Sequence, residues 1–371
     1  MGADRIRGPV RLAVLHDHLR FIGGGERVAL TLASAFDADL YVTDSDATLP
    51  ARAGMSPVRV HEIARVPRRA PLRQDRQAQA FETADLPEYD AYLFSRNWAV
   101  FAAPHLRPNL WYCHTPVRIF YDLHDLFLSS MSPLQRSVGR RWIESRRPRY
   151  ERVVRDVGTI VANSRNVAAR IERFLHRKPS AVVYPPVDVS SYRFRRVGES
   201  WLTVSRLSHE KRLDLLVEAF RHLPDERLTV VGAPQPGDSA ARFIRSLHPP
   251  PNVEFLGEIP ELRLRELYSD CRGLVAAAED EDFGLAPVEA MASGKPVIAV
   301  DEGGFRESVV HGKTGWLVPA TAEGLAAAVR DAATMDLERF RPPCEARARE
   351  FDVGRFVDRM TTLLASTVKA P

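Results

Sequence analysis

Four consecutive acids, EDED at 279–282, precede an apolar helical stretch, and another glutamate, Glu289, stands eight positions after Glu281. Carboxylates spaced like this could form a hydrolase's acid pair, ligate a metal, accept hydrogen bonds from hydroxyl groups, or simply be solvated. In a continuous helix, eight residues would separate Glu281 from Glu289 by about 12 Å, beyond the roughly 5–9.5 Å of glycosidase acid pairs. The spacing therefore disfavours a hydrolase, although a loop before the helix would shorten the distance.

A metal centre is not predicted at this acidic run. Asp280 and Asp282 flank Glu281, but no second ligand motif and no histidine cluster accompanies them. The helical run LAPVEAMAS follows Gly284, and the start of a helix offers backbone N–H groups and partial positive charge to an anion. We therefore expect no metal and no cofactor, and we expect an anion rather than a cation at this helix start.

Two cations lie between an apolar strand and a helix in the stretch SRLSHEKRLDLL. Arg206 follows the strand and Lys211 is expected to open the helix, five positions later. Arginine can make two parallel bonds to a phosphate, and lysine supplies a point charge. The pair could converge on one diphosphate, although exposed cations are common and neither residue is informative alone.

The first apolar strand is followed by the glycine-rich segment IGGGER, and a later strand is followed by a histidine. Gly24 and Gly25 would let the backbone approach a ligand closely at a helix start, or they form a plain tight turn. The dinucleotide fingerprint G-x-G-x-x-G is not met, because Val28 stands three residues beyond Gly25. His114 lies between the strand and Thr-Pro, where an imidazole could contact a sugar hydroxyl or be structural.

The elements that carry these residues alternate along the chain as strand and helix, which predicts an α/β fold with parallel sheets. The pattern restarts after the Pro-Pro pair at 185–186. We predict two doubly wound, Rossmann-like domains, 1–185 and 186–350, facing a central cleft, and a C-terminal helix, 351–371, that crosses back to the first domain. Ligands of such sheets bind beyond the strand carboxyl ends, where the candidate residues stand.

The composition of the 371 residues, 45% hydrophobic and 27% charged, is typical of a folded soluble protein. No apolar run approaches the roughly 18–20 residues of a membrane helix, and the N-terminal segment lacks a signal-peptide pattern. The odd count of three cysteines argues against a disulfide framework. We therefore expect a cytoplasmic protein.

Charge is divided unevenly between the two halves of the chain. Residues 1–185 carry 28 Lys and Arg against 19 acids, whereas residues 186–371 carry 24 against 29. In the basic half, Leu134, Val138 and Trp142 recur at spacing four among many arginines. This pattern is typical of a helix on an anionic membrane surface, or of a stripe that joins the core. Nucleic-acid recognition is not predicted, because no recognition motif and no interleaved aromatic cluster appears.

In combination, these segments resemble the retaining GT-B glycosyltransferases of glycosyltransferase family 4. The resemblance spans nearly the whole chain and rests on IGGGER, WYCHTP, SRLSHEKRLDLL and EDFGLAPVEAMASGKPVIAVDEGGFRESVVHGKTGWLV. The last segment is the most specific, because it contains the Glu-x7-Glu motif of that family. One departure is Ser205, where the family often has glycine, and we expect it to cause only a small local change.

The resemblance implies a role for each candidate residue toward a nucleoside diphosphate sugar. Arg206 and Lys211 would hold the diphosphate, Glu281 would bind hexose hydroxyls, and Glu289 would bind the ribose. The remaining implied contacts are backbone groups at three positions, a closing glycine loop at two, and a histidine near the reacting carbon: Phe283, Gly284, Leu285, Gly24, Gly25 and His114. His114, Arg206, Lys211 and Glu281 are thus the expected catalytic residues.

The resemblance also implies a metal-independent hexosyltransferase that retains anomeric configuration. WYCHTPVRIFYD is similar to bacterial mannosyltransferases of surface-polysaccharide assembly, which favours GDP-mannose as donor, with UDP-hexoses left open. The expected acceptor is a lipid-linked glycan or other glycoconjugate, and the expected location includes the inner face of the cytoplasmic membrane. The alternatives are another GT-B enzyme, such as a sugar epimerase or phosphorylase, and an inactive GT-B scaffold that binds a partner.

Overall fold

The chain divides into two compact units, Met1–Val183 with Val357–Pro371, and Tyr184–Phe356. The division lies two residues before the boundary expected at 185. The computed structural model describes residues 10–369 except 53, 68, 130 and 234–239, without the side chains of 240–243 and 369. The segment 1–9, where the lack of a signal-peptide pattern was noted, lies outside the described residues.

The first unit contains a seven-stranded sheet in the order β3-β2-β1-β4-β5-β6-β7, and each strand is parallel to its neighbours. The strands are β1 Leu12–His16, β2 Asp39–Val42, β3 Arg59–Glu62, β4 Ala91–Ser95, β5 Asn109–Cys113, β6 Thr159–Ala162 and β7 Ala181–Val182. The helices are α1 Gly24–Ala35, α2 Leu49–Arg52, α3 Leu72–Glu82, α4 His124–Ser129, α5 Pro133–Arg155 and α6 Arg165–Leu175.

The second unit contains a six-stranded parallel sheet in the order β10-β9-β8-β11-β12-β13. The strands are β8 Ser200–Val204, β9 Arg227–Val231, β10 Val253–Gly257, β11 Leu274–Ala276, β12 Val297–Val300 and β13 Gly315–Val318. The helices are α7 Leu213–Arg221, α8 Ala240–Leu247, α9 Glu261–Asp270, α10 Leu285–Ala292, α11 Phe305–Ser308, α12 Ala322–Ala333, α13 Arg341–Ala348 and α14 Val353–Lys369. From Val357 onward, α14 belongs to the first unit.

The order of strands reverses once in each sheet. Chain order runs outward from β1 to β3 and then resumes on the other side at β4, and β8 to β10 and β11 repeat this arrangement. The central strands are almost wholly apolar and buried, as in LAVLH and AYLFS, because helices cover both faces of a parallel sheet. Each reversal leaves a crevice at the carboxyl ends of the two central strands.

Three strands were missing from the sequence-based expectation: β3, β7 and β13. The strand β3 reads RVHE and is largely exposed, and β7 has two residues. All three are the outermost strands of their sheets. The strand β3 lacks the continuous apolar run by which the central strands were identified, whereas β7 and β13 are apolar but short, with two and four residues.

Candidate functional site

The second unit places its candidate cations after β8, at the point where the strand order reverses. Arg206 lies two residues beyond the strand, is 52% exposed, and pairs with Glu210 across 3.3 Å. Lys211 lies in a short 3₁₀ turn, His209–Lys211, and α7 begins two residues later. The sequence-based expectation that Lys211 opens this helix was therefore wrong by one short turn.

Lys211 and Glu281 form an ion pair at this crevice, with 2.5 Å between Nζ and Oε2. Both side chains are mostly buried. The loops that carry them are also joined through the main chain, because the Glu279 N–H donates to the Glu210 carbonyl at 2.8 Å. The parallel ends of β8 and β11 thus bring together a cation and a carboxylate 70 positions apart.

The loop from Glu281 to α10 is fixed by glycine and by aromatic packing. The Gly304 N–H donates to the Glu281 carbonyl at 2.8 Å. Phe283 is buried, and its ring stacks on Tyr184 with 5.2 Å between centroids. Gly284 has φ of 86°, a conformation that favours glycine, and the helix then begins at Leu285. This turn separates Glu281 from the helical axis, so the two glutamates are not on one continuous helix.

Glu289 is buried inside α10, and its Oε2 accepts a hydrogen bond of 2.7 Å from the Tyr268 hydroxyl. Burial, followed by the charge of Glu289, raises the pKa of Tyr268 well above its usual value, so the phenol stays protonated and donates. Tyr268 was not identified from the sequence, because a tyrosine within a helix gives no signal of its partner. Glu281 and Glu289 therefore have different partners, a lysine and a tyrosine.

The remaining acids of the EDED run do not act as a single cluster. Glu279 lies 3.5 Å from Arg212, which also pairs with Glu302 across 3.0 Å. The Asp280 N–H donates to Glu302 at 3.3 Å. Glu279 is therefore not simply solvated, because it belongs to an ion-pair network around Arg212.

The first unit places His114 directly after β5 and links it to β4 and β1. Ser95 Oγ lies 2.9 Å from His114 Nε2 and 3.1 Å from His16 Nδ1. A hydroxyl can donate one hydrogen bond and accept two, so Ser95 can bond to both imidazoles. The donor in each bond is set by the tautomer of the ring. Glu26 Oε1 lies 3.8 Å from His16 Nε2 on the far side of the His16 ring.

Beneath the glycine segment, the first unit buries a charged group. Helix α1 begins at Gly24, and Glu26 in its first turn is fully buried. Glu26 Oε1 lies 3.4 Å from Arg96 Nη1 and 3.8 Å from His18 Nδ1. From the sequence, only the glycines of IGGGER were predicted to be functional. The neighbouring residues gave no indication that the Glu26 carboxylate would be buried.

Two imidazoles in this region are held in their neutral form. Burial, reinforced by the nearby Arg96 charge, lowers the pKa of His18 to about 3. Burial, together with His16 and Arg96, likewise lowers the pKa of His114 to about 3. His114 therefore acts near neutral pH as a hydrogen-bonding group rather than as a cation.

Within the part of the chain that the structure describes, no group of three or more His, Cys, Asp or Glu side chains could hold a metal ion. Cys113, Cys271 and Cys344 are buried free thiols. In the same described part, every helix is too short or too polar to cross a membrane.

Residues 197–350 match the family described as glycosyl transferases group 1. Alpha-1,3/1,6-mannosyltransferase alg2 of Schizosaccharomyces pombe is 29% identical over 213 residues, covering 46% of this chain and 42% of that protein. D-inositol 3-phosphate glycosyltransferase of Mycolicibacterium paratuberculosis is 29% identical over 187 residues, covering 45% and 42%. The chain thus spans less than half the length of these curated relatives.

A solved structure with the same fold is Anabaena HepE in complex with UDP and glucose. It matches with a TM-score of 0.75 and 20% sequence identity, and the match covers 96% of this chain and 100% of that chain. With the two parallel sheets described above, this likeness confirms the predicted GT-B fold of two Rossmann-like units.

The neutral histidines predict that stability falls on mild acidification. The unfolded chain binds protons near pH 6.5 but the native state does not, so the free energy of unfolding should fall from pH 7 to pH 5 by roughly 2 kcal/mol for each such imidazole. Urea unfolding at both pH values measures this loss. His18→Gln should flatten the pH dependence, whereas His105→Gln, at an exposed site, should leave it unchanged. Equal stability at pH 7 and pH 5 would contradict the argument.

Proposed function

We propose, on the premise that residues 197–350 form a glycosyl transferases group 1 domain, that this protein moves a hexose from a nucleoside diphosphate sugar to a hydroxyl group. We assign it to family 4, with retention of anomeric configuration and without a metal. The acceptor in this proposal is a lipid-linked glycan or other glycoconjugate. The UDP and glucose of the HepE complex and the mannosyltransferase activity named for the Schizosaccharomyces pombe relative support the donor class.

The observation that carries the proposal is the contact between Lys211 and Glu281 at the crevice of the second sheet. A sugar nucleotide presents a negative diphosphate directly beside neutral hydroxyl groups. An adjacent cation and carboxylate suit that pair of neighbours, because the cation attracts phosphate and the carboxylate accepts hydrogen bonds from hydroxyls. A carboxylate would repel a purely anionic ligand, so Glu281 suits the hydroxyl part of the substrate.

In the proposed reaction the bond from the anomeric carbon to the phosphate oxygen breaks, and a bond from that carbon to the acceptor oxygen forms on the same face. The acceptor hydroxyl gives its proton to the departing phosphate, which leaves as nucleoside diphosphate. Negative charge grows on that group as it leaves, and preorganised cations stabilise it. Arg206 and Lys211 take this role, together with the N–H groups at Phe283, Gly284 and Leu285 near the start of α10.

The other assigned residues keep the roles that the family resemblance implies. Glu289 binds the ribose, Gly24 and Gly25 let their loop approach the diphosphate, and His114 contacts the hexose. His114 is neutral, and a neutral imidazole can exchange hydrogen bonds with a sugar hydroxyl. The sequence WYCHTPVRIFYD favours GDP-mannose as donor, and UDP-hexoses are the alternative.

Turnover tests the proposed function directly. Wild-type protein should release nucleoside diphosphate from GDP-mannose only when an acceptor is present, and Lys211→Ala should lower kcat by about 100-fold or more because the leaving charge loses its cation. Lys313→Ala, at an exposed site in the same unit, is the matched control.

Release without any acceptor would favour an epimerase or hydrolytic activity, and donor binding without turnover would favour a scaffold. The same assay with UDP-glucose decides between the two donors, since a clear preference for UDP-glucose would remove GDP-mannose from the proposal. Near-normal turnover by Lys211→Ala would contradict the phosphate role of that residue.

The Tyr268–Glu289 hydrogen bond predicts an effect on donor affinity. Tyr268→Phe removes the donor that orients Glu289, so the KM for the nucleotide sugar should rise about tenfold with little change in kcat. The matched control is Tyr89→Phe, which removes another tyrosine–carboxylate bond, of 2.9 Å to Asp39, in the first unit. Donor KM values that are equal in the two variants would argue against a ribose role for Glu289.

A membrane-associated acceptor is supported by helix α5. Leu134 is 78% exposed and Val138 is exposed beside Arg140 and Arg141. Trp142 is instead partly buried against the first unit's core. The predicted stripe therefore splits, and only its first two apolar residues are available to a lipid surface. Apolar side chains among arginines are typical of helices that lie on anionic bilayers.

We expect the protein to sediment with anionic vesicles and less so with neutral ones, and to be released by salt. Leu134→Glu combined with Val138→Glu should abolish this binding without loss of turnover on a soluble acceptor. Leu262→Glu, at a residue 73% exposed in the second unit, is the matched control. Binding that is absent, or insensitive to salt and to the α5 substitutions, would remove the membrane proposal.

A further inference from the structure

Arg96 stands at the carboxyl end of β4, where the strand order of the first sheet reverses. Its backbone has φ of 73°, which is uncommon for a residue with a side chain and marks positions worth a functional question. The surroundings hold it there. The Trp111 Nε1–H donates to the Arg96 carbonyl at 2.7 Å, and the Asp17 carboxylate accepts the N–H groups of Trp98 and Ala99 at 2.8 and 3.0 Å.

The buried Glu26 fixes the direction of the Arg96 side chain. Burial alone would raise the pKa of Glu26, but Arg96 and the two neighbouring histidines oppose it, and the net direction is down. Neither carboxylate oxygen has a hydrogen-bond partner among the described residues. Burying an ionised carboxylate costs several kcal/mol unless a partner offsets it. Arg96 lies 3.4 Å away and carries a permanent positive charge. Its guanidinium therefore stabilises the buried carboxylate, and the carboxylate in turn orients the guanidinium.

The glycine segment adjoins the same guanidinium. A Cβ on Gly25 would lie 2.9 Å from Arg96 Nε, closer than such atoms approach, so only glycine lets the side chain lie against this loop. Arg96 is nevertheless 28% exposed. The guanidinium therefore has one edge on the buried Glu26, one side on Gly25, and part of its surface accessible to a ligand.

The charge around Arg96 favours an anionic ligand. His18 Nε2 lies 3.4 Å from Arg96 Nη1, and His18 is neutral. Burial and then the Arg96 charge lower the pKa of Arg73, so the two guanidiniums interact electrostatically. The buried Nε of Arg73 has no hydrogen-bond partner among the described residues. A phosphate that accepts hydrogen bonds from Arg96 would also attract this second cation.

We propose that Arg96 binds a phosphate group of a substrate and that Glu26 is its positioning residue. This inference rests on the proposed function and assigns a phosphate contact to the first unit. Such a phosphate has two chemical sources, the diphosphate of the donor and a phosphate carried by a lipid-linked acceptor.

Calorimetry with UDP, GDP and decyl phosphate separates the two sources, using Arg96→Ala, Arg96→Lys and the control Arg107→Ala. Arg107 is exposed, pairs with Asp156, and precedes the amino end of β5. If the donor supplies the phosphate, Arg96→Ala weakens UDP or GDP about tenfold, or 1.4 kcal/mol. If the acceptor supplies the phosphate, Arg96→Ala weakens the binding of decyl phosphate by the same factor and leaves nucleotide affinity unchanged. Arg96→Lys keeps the charge but loses the planar fork, so it gives a smaller loss.

The positioning role of Glu26 is tested by a double-mutant cycle. Glu26→Gln should weaken the same ligand in the wild-type background and have no further effect in the Arg96→Ala background. An equal effect in both backgrounds would overturn the positioning role. Circular dichroism and thermal unfolding confirm that each variant is folded, and the cycle can run on Arg96→Lys if Arg96→Ala is not.

Failure of this inference is distinguishable from failure of the proposed function. A wild-type protein that binds neither UDP nor GDP overturns the proposed function and the inference with it. The wild-type protein could instead bind nucleotide and turn over, with Arg96→Ala affinities for UDP, GDP and decyl phosphate within twofold of wild type. That result would overturn the phosphate contact alone.

Discussion

Parallel pairing of every strand is the constraint on which both units depend. Parallel strands end at the same edge of a sheet, so loops that are far apart in sequence meet there. Because helices cover both faces, the strand interiors are filled with apolar side chains, and polar chemistry is left to the strand ends. In the second unit this places Lys211 against Glu281. In the first it places His16, Ser95 and His114 in one hydrogen-bonded row.

Three glutamates show how environment assigns different work to the same side chain. Glu281 forms an ion pair with a lysine, Glu289 accepts a hydrogen bond from a buried tyrosine, and Glu26 pairs with an arginine beside a glycine loop. None of these partners lies within the same segment of sequence. A glycine turn also separates Glu281 from the helix that carries Glu289, so one helix does not set the spacing of the two carboxylates.

The two units carry similar groups at the points where their strand order reverses. Each has cations at strand ends, a glycine-containing turn at the start of a helix, and a carboxylate that restrains a basic side chain. In the second unit the Glu281 carboxylate is mostly buried but keeps some exposed surface, so the proposed hydroxyl contact is open to it. In the first unit Glu26 is fully buried, so it can only orient Arg96. Burial thus separates a residue suited to contact substrate from one that acts through its neighbour.

The sequence alone determined the fold class, the central strands and the placement of the candidate residues at strand ends. Those features depend on local patterns: apolar runs, helical spacing, and glycine or proline at turns. It also predicted functional roles for Lys211 and Glu281, and the structure places these two side chains in contact. It did not reveal the 3₁₀ turn before α7, nor three edge strands, because β3 lacks an apolar run and β7 and β13 are short.

Only the tertiary structure decided which side chains are partners. Tyr268 with Glu289, Glu26 with Arg96, and Ser95 between two histidines each join segments 19 to 79 positions apart. Sequence spacing carries no information about such pairs, because the pairing of parallel strands and the packing of helices beside them set these contacts. Burial is likewise a property of the assembled fold: it keeps His114 neutral and Glu26 confined to its partner, and no local pattern could indicate either.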